Sequence, residues 1–209
     1  MIYYLIPARK GSRGWPGKNR VLFKHTAETL KGLELDVIVS TDDPVVFASA
    51  INHGFQVIDR PGKLAGDDAD IIGVMKHAAH ELGMNDDDNI VLLYLVHPTR
   101  TREDIENAIK YYKENNGKSL VCRFPVENNP YKCIHADGTP IINHDYYRRQ
   151  DFPACYEIMH YVAIYKVNEI DKLNKLAFNE NTTWLDISQP VDIDYEEDYF
   201  NIRGKSHDK

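Results

Sequence analysis

The apolar run Ile2-Tyr-Tyr-Leu-Ile6 passes directly into Pro-Ala-Arg-Lys-Gly-Ser-Arg-Gly-Trp-Pro-Gly-Lys-Asn19. A short apolar run bounded by such a segment reads as a buried strand. The loop behind it holds three glycines, a hydroxyl and four cations: Arg9, Lys10, Arg13 and Lys18. Glycine lets backbone N–H groups approach an anion closely, and the cations neutralise it. Charge-assisted hydrogen bonds contribute about 1.5–3 kcal/mol each, so several converging on one polyphosphate make a nucleotide site. A solvated basic turn is the competing reading of the loop alone.

The loop type can be narrowed. A Walker A loop needs Gly-x-x-x-x-Gly-Lys followed by Ser or Thr. Here Gly17-Lys18 precedes Asn19, and the position five before Gly17 is Ser12. A dinucleotide fingerprint of the form Gly-x-Gly-x-x-Gly is also absent, because the glycines fall at 11, 14 and 17.

Short apolar runs recur at 2–6, 36–40, 55–58, 90–96 and 118–123, with helix patterns at 25–33, 44–53, 69–83 and 102–115 between them. Asp43-Pro44 supplies a cap and a first-turn proline, and Thr101 with Asp104 opens the later helix. This alternation predicts an α/β fold: a doubly wound, mainly parallel, Rossmann-like sheet. Ligands bind such sheets at the carboxyl ends of the strands, where the basic loop, the Ser40–Asp43 turn and the His97–Thr99 turn converge.

With 209 residues, 43% of them hydrophobic, one good core can be buried, and residues 1–203 read as a single domain with a mobile polar tail at 204–209. The net charge of −7 disfavours a nucleic-acid surface, and the positive charge that would bind phosphate is local, in residues 9–20. Cys122, Cys133 and Cys155 are odd in number and lack metal-like spacing, which suggests reduced thiols in a cytoplasmic protein. No apolar run approaches the ~18 residues of a membrane span. Residues 124–160 break the rhythm with four prolines, Asp137-Gly138 and a polar aromatic run from His144 to Phe152. They read as an inserted arm with a hairpin around 133–142, or as an ordinary surface excursion.

Near the C-terminus, Val191-Asp-Ile-Asp194 carries two alternate carboxylates. In an extended segment they share a face, with Cα atoms about 6.6 Å apart. Like charges so placed call for a cation, and a hydrated Mg²⁺ (or Mn²⁺) that also binds substrate phosphates suits Asp192 and Asp194. Alternatively, Asp194 caps a helix over 195–200, with Glu197 completing a capping box. Both roles are compatible.

At five collinear places the chain resembles the acylneuraminate cytidylyltransferases, the CMP-sialic acid synthetase group. The loop resembles their signature Ile-Pro-Ala-Arg-x-Gly-Ser-Lys-Gly-x-x-x-Lys-Asn. Val39-Ser-Thr-Asp-Asp43 resembles their Ser-Thr-Asp block, and Arg60-Pro-Gly-Lys-Leu-Ala-Gly-Asp67 their Arg-Pro-x-x-Leu-Ala-x-Asp. Leu95-Val-His-Pro-Thr99 resembles Leu-Leu-Gln-Pro-Thr, and 191–194 their Asp-Ile-Asp block.

The resemblance implies transfer of a nucleotidyl group from CTP to a sugar acid, with Arg9, Lys18, Asp192 and Asp194 catalytic. Ala8, Arg9, Gly11, Ser12, Arg13, Lys18, Asn19, Ser40, Thr41, Asp42 and Arg60 would bind the nucleotide. His97, Arg149, Gln150 and Tyr156 would bind the sugar, and the arm would support a homodimer. Three departures touch the substrate side. The 20–36 segment is short, His97 replaces a glutamine, and Met159 and His160 replace the usual Asn-Gly after the tyrosine. Other readings are a transferase for sugar 1-phosphates, a kinase that would release nucleoside diphosphate, and a non-catalytic binding relative.

Overall fold

The computed structural model describes residues 1–32, 36–115 and 117–205, the last three by backbone alone. Seven strands form one sheet: β1 (Ile2–Pro7), β2 (Asp36–Thr41), β3 (Gln56–Asp59), β4 (Asn89–Leu92), β5 (Ser119–Pro125), β6 (Tyr156–Lys166) and β7 (Thr182–Asp186). Their spatial order is β3-β2-β1-β4-β6-β5-β7. The pairings make β6 antiparallel to both its neighbours, while the other six strands point one way. Six helices connect them: α1 (Lys18–Leu30), α2 (Pro44–Asn52), α3 (Gly62–Ala65), α4 (Ile71–Glu81), α5 (Arg102–Glu114) and α6 (Glu196–Lys205). Among the described residues, no helix is long and apolar enough to cross a membrane.

The two faces of β1 show why both sides are covered. Tyr4 and Ile6 join a core that includes Leu22, Phe23 and Leu30 of α1, Val46 of α2, Ile105 of α5 and Tyr199 of α6. Leu5, pointing the other way, packs with Ile38, Leu92 and with Met75 and Ala78 of α4. Period-two alternation with apolar residues on both faces is what a central strand of a doubly wound sheet requires.

The structure corrects the sequence reading in three places. The first helix begins at Lys18, not near 25, immediately after Gly17 turns the chain at φ 79°. Its signal was the apolar spacing Leu22, Phe23, Thr26, Ala27 and Leu30, which continues back to Lys18. Residue 33, the end of the expected helix, lies outside the described residues. Residues 156–160, assigned to the arm, open the 11-residue strand β6, which separates β4 from β5. At the C-terminus α6 carries through residues 204 and 205 of the expected tail, and 206–209 lie outside the described residues. The hairpin within the arm is present: Ile134 bridges Pro140, and Gly138 turns at φ 87°.

Asp43 fixes the start of α2 against α1. Its carboxylate accepts a bond from Val45 N–H (2.9 Å) and one from Arg20 Nε (2.7 Å). Burial pushes this carboxyl up, but the bonds from Arg20 and Val45 outweigh it and hold its pKa below 3.8. Loss of the cap and the half-exposed pair predicts that Asp43→Ala lowers unfolding free energy by about 1–2 kcal/mol. Because the folded pKa is depressed, that contribution is complete above the unfolded pKa of about 3.9 and disappears as pH falls through the folded value. Urea unfolding of wild type and variant at neutral pH and down to about pH 3 checks both.

Candidate active site

The basic loop rises from β1 at the switch point of the sheet, where β2 lies on one side and β4 on the other. Its path is fixed by backbone bonds rather than by side chains aimed at solvent. Ala8 N–H bonds Ser40 O (2.9 Å), and Thr41 Oγ1 donates to Ala8 O (2.5 Å). Asp42 Oδ1 accepts Lys10 N–H (2.7 Å), and Asn19 Nδ2 donates to Arg9 O (2.9 Å). Arg60 reaches under β2, donating to Ser40 Oγ (3.2 Å) and Ser40 O (2.8 Å). Burial lowers its pKa to about 10, opposed by the nearby Asp42 charge, so it remains a cation at neutral pH.

A cleft of about 280 Å³ opens beside the loop. Arg9, Gly11, Ser12, Lys18, Asn19 and Arg60 line it, as the sequence suggested. Ser40, Thr41 and Ala8 do not: all three are fully buried and bonded within the protein, so they shape the cleft from behind. Arg13 and Asp42 flank the loop without lining the cleft. Leu64, Asp67, Ile71, Val74 and Tyr94 also line it; Leu64 and Asp67 lie in the quoted Arg60–Asp67 block, but none of the five was assigned to the site from sequence. The apolar ones carried a helical signal, with Ile71 and Val74 three apart in α4, but nothing in their chemistry marked a site.

Asp67 is tied to the loop. Arg9 Nη1 (2.8 Å) and Arg13 Nε (2.8 Å) both donate to its carboxylate, and these bonds from Arg13 and Arg9 hold its pKa below the usual carboxylate range. Two guanidinium groups already gathered on one carboxylate mark where an incoming phosphate would find donors.

The acidic segment is docked onto the same loop. Lys18, at the first position of α1 and only 7% exposed, donates to Ile193 O (2.8 Å) and lies 3.5 Å from Asp194 Oδ1. Ile193 is fully buried, whereas Asp192 and Asp194 on either side are exposed, so the two carboxylates share one face. The Asp192 pKa is raised, first because neighbouring atoms strip part of its hydration and second because Asp194 adds like charge. The expected capping contact is made by a different residue: Asp198, not Glu197, accepts the N–H groups of Asp194 (3.0 Å) and Tyr195 (2.8 Å). That arrangement leaves the Asp194 carboxylate turned to Lys18.

Among the described residues no three His, Cys, Asp or Glu side chains form a metal cluster. The Asp192–Asp194 pair alone fits a cation that takes its remaining ligands from water and phosphate, because two exposed carboxylates on one face supply only part of a hard cation's oxygen shell.

The residues assigned to the sugar are separated. Arg149, in the short turn Arg149–Asp151, and Tyr156 line a second cleft of about 600 Å³ in the arm, together with Lys132. Gln150 does not line it, and the Tyr156 ring is stacked under Arg123 (4.0 Å). His97 enters neither cleft. It is 2% exposed, and its Nδ1 bonds Val191 O at 3.0 Å. Burial lowers its pKa to about 4 despite that bond.

Residues 3–200 match the model of the cytidylyltransferase family. The chain belongs to that family. An N-acylneuraminate cytidylyltransferase of Streptococcus agalactiae is 27% identical over 218 residues, covering 96% of this chain and 52% of its own length. Thus the chain spans about half the length of that relative. A CMP-N,N'-diacetyllegionaminic acid synthase of Legionella pneumophila is 31% identical over 148 residues, covering 66% of this chain and 63% of its own. In fold, the chain is similar to a CMP:2-keto-3-deoxy-manno-octonic acid synthetase solved with CTP, at TM-score 0.70 and 15% identity, covering 99% and 98% of the two chains.

Close docking of loop and acidic segment depends on Gly14. A Cβ there would lie 2.5 Å from the Asp194 carbonyl oxygen, whereas one on Gly11 would meet nothing within 4 Å. Gly14→Ala is therefore predicted to destabilise the protein by about 1–3 kcal/mol, the usual cost of overpacking. Gly11→Ala should stay within about 0.5 kcal/mol of wild type. Chemical denaturation of the two variants side by side measures the contrast.

Proposed function

We propose that this protein is a cytoplasmic, metal-dependent enzyme that joins a sialic acid-like sugar acid to CTP, giving a CMP-sugar and pyrophosphate. The observation that carries the reading is the pairing of Asp194 with Lys18, a lining residue of the cation-rich cleft, with a second exposed carboxylate, Asp192, two residues before it. The S. agalactiae N-acylneuraminate cytidylyltransferase and the L. pneumophila CMP-N,N'-diacetyllegionaminic acid synthase support the substrate class.

The triphosphate would lie along residues 9–13, exchanging the Asp67 carboxylate for its own oxygens on Arg9 and Arg13. Ser12 and the loop amides add neutral donors. A divalent ion, Mg²⁺ or Mn²⁺, held by Asp192 and Asp194 would neutralise phosphate charge and acidify a nearby hydroxyl. The sugar hydroxyl attacks the α-phosphorus in line. A new P–O bond forms as the bond to pyrophosphate breaks, and the hydroxyl proton passes to solvent. Positioning and charge neutralisation are the main terms in such transfers. Arg9 and Arg13 are placed to stabilise the charge growing on pyrophosphate.

Lys18, which lines the cleft, is given a structural part beside the catalytic one its motif implies. Its ammonium is occupied by Ile193 O and Asp194, so it contributes by holding the acidic segment at the cleft edge. Arg149 and Tyr156 in the arm cleft are the groups proposed for the sugar, with the Arg149 guanidinium suited to a carboxylate. The arm also exposes Ile134 (64%) and Tyr147 (93%), which favours burial against a second copy in a homodimer.

Pyrophosphate release with Mg²⁺ tests the reading, with CTP, GTP, UTP and ATP set against nonulosonic acids and sugar 1-phosphates. Release specific to CTP and one sugar acid is the expected result, and Asp192→Ala should lower its rate by about 10²–10³. Formation of nucleoside diphosphate, or full activity in Asp192→Ala, would contradict it.

A further inference from the structure

His97 stands on the turn after β4, yet its imidazole faces away from both clefts and into the body of the protein. Two contacts define it. Its Nδ1 lies 3.0 Å from the Val191 carbonyl oxygen. Its ring packs edge-on against Tyr161 of β6, with centroids 5.2 Å apart. Tyr161 is itself fastened, because its hydroxyl donates to Asp104 (2.7 Å) and its carbonyl accepts Arg100 Nη1 (2.6 Å). A carbonyl oxygen can only accept, so Nδ1 must carry the proton, and this tautomer is set by the contact.

The bond matters because of what Val191 precedes. Residues 187–194 belong to no strand. Ile187 N–H is held by Arg123 O (2.9 Å) and Ile193 N–H by Val96 O (3.0 Å). Between those two points His97 provides the anchor, one residue before Asp192. Lys18 fixes the other side, at Ile193 O. The backbone that carries the Asp192 carboxylate is thereby gripped before and after.

We propose that His97 is a positioning residue of the transfer reaction, setting the Asp192 carboxylate through the Val191 carbonyl instead of contacting the sugar. The inference rests on the metal-dependent transferase reading above. It assigns this position a different task from that of a glutamine facing the sugar.

Side-chain geometry supplies the test. An Asn amide nitrogen sits as many bonds from Cα as imidazole Nδ1, so His97→Asn can keep the donor to Val191 O. His97→Gln carries its amide one bond further out, and His97→Ala has no donor. Each variant is melted to show that it folds, then assayed for kcat, KM for CTP and for the sugar acid, and the Mg²⁺ concentration at half-maximal rate. Mn²⁺ binding in the presence of CTP is measured separately by electron paramagnetic resonance, which needs no turnover.

Disturbing a residue that orients a metal ligand typically costs about 10–100-fold in metal affinity or activity. His97→Ala and His97→Gln should show a loss of that size in kcat and in Mn²⁺ affinity, with sugar KM changed less than about threefold. His97→Asn should recover most of both. A large rise in sugar KM with unchanged Mn²⁺ affinity would overturn the proposal, as would folded His97→Asn no better than His97→Ala. Absence of Mn²⁺ binding to wild type would overturn it too. If wild type binds Mn²⁺ with CTP but transfers to no sugar, the functional reading fails, and Mn²⁺ affinity across the variants still decides the role of His97.

Discussion

The site depends on where the Lys18 ammonium goes. It sits at the first position of α1, where the helix dipole is positive, and it is nearly buried. A cation there is disfavoured by the dipole and by lost hydration, so it needs an acceptor close by. The acceptors are Ile193 O and Asp194, 175 and 176 residues away in sequence. Satisfying one lysine therefore brings the C-terminal acidic segment onto the N-terminal loop. Gly14 permits the close approach, Trp15 packs against Tyr199 of α6 (5.6 Å), and His97 holds the segment from the β4 side.

The consequence is a division of labour between two kinds of charge. Arg9 and Arg13 lie on the surface with one exchangeable carboxylate between them, which an anionic ligand can replace. Lys18, Arg60 and Arg100 are buried and bonded to backbone oxygens, and they hold the walls in place. Arg100 shows the pattern clearly, because its guanidinium ties the segment after β4, α1 and β6 through Tyr94 O, Thr26 Oγ1 and Tyr161 O. The mobile chemistry is then confined to the loop, the acidic pair and the arm.

Much of this was legible in sequence. Apolar runs and caps gave β1 to β5, α2 and α5 to within a few residues, since each has an unambiguous period and a local stop signal. The cation-rich loop and the paired aspartates carried their chemistry in residue type. What sequence could not convey was direction. Ser40 and Thr41 sit at the right strand end but point inward, and His97 turns from the cleft to Val191. Strands β6 and β7 were not among the expected runs; Tyr156–His160 continues the polar arm without a break, and only the pairing with Pro125 to Cys122 makes it part of a strand. The apolar members of the far cleft wall, Leu64, Ile71 and Val74, became part of a site only through their place beside the loop.

A crystal structure with CTP and Mn²⁺ tests the central claim most directly, because manganese reports its own position by anomalous scattering. The account predicts a manganese peak within bonding distance of Asp192 or Asp194, the triphosphate on Arg9 and Arg13, and Lys18 still on Ile193 O. Manganese bound away from both aspartates, or Lys18 swung off the acidic segment onto the triphosphate, would contradict it.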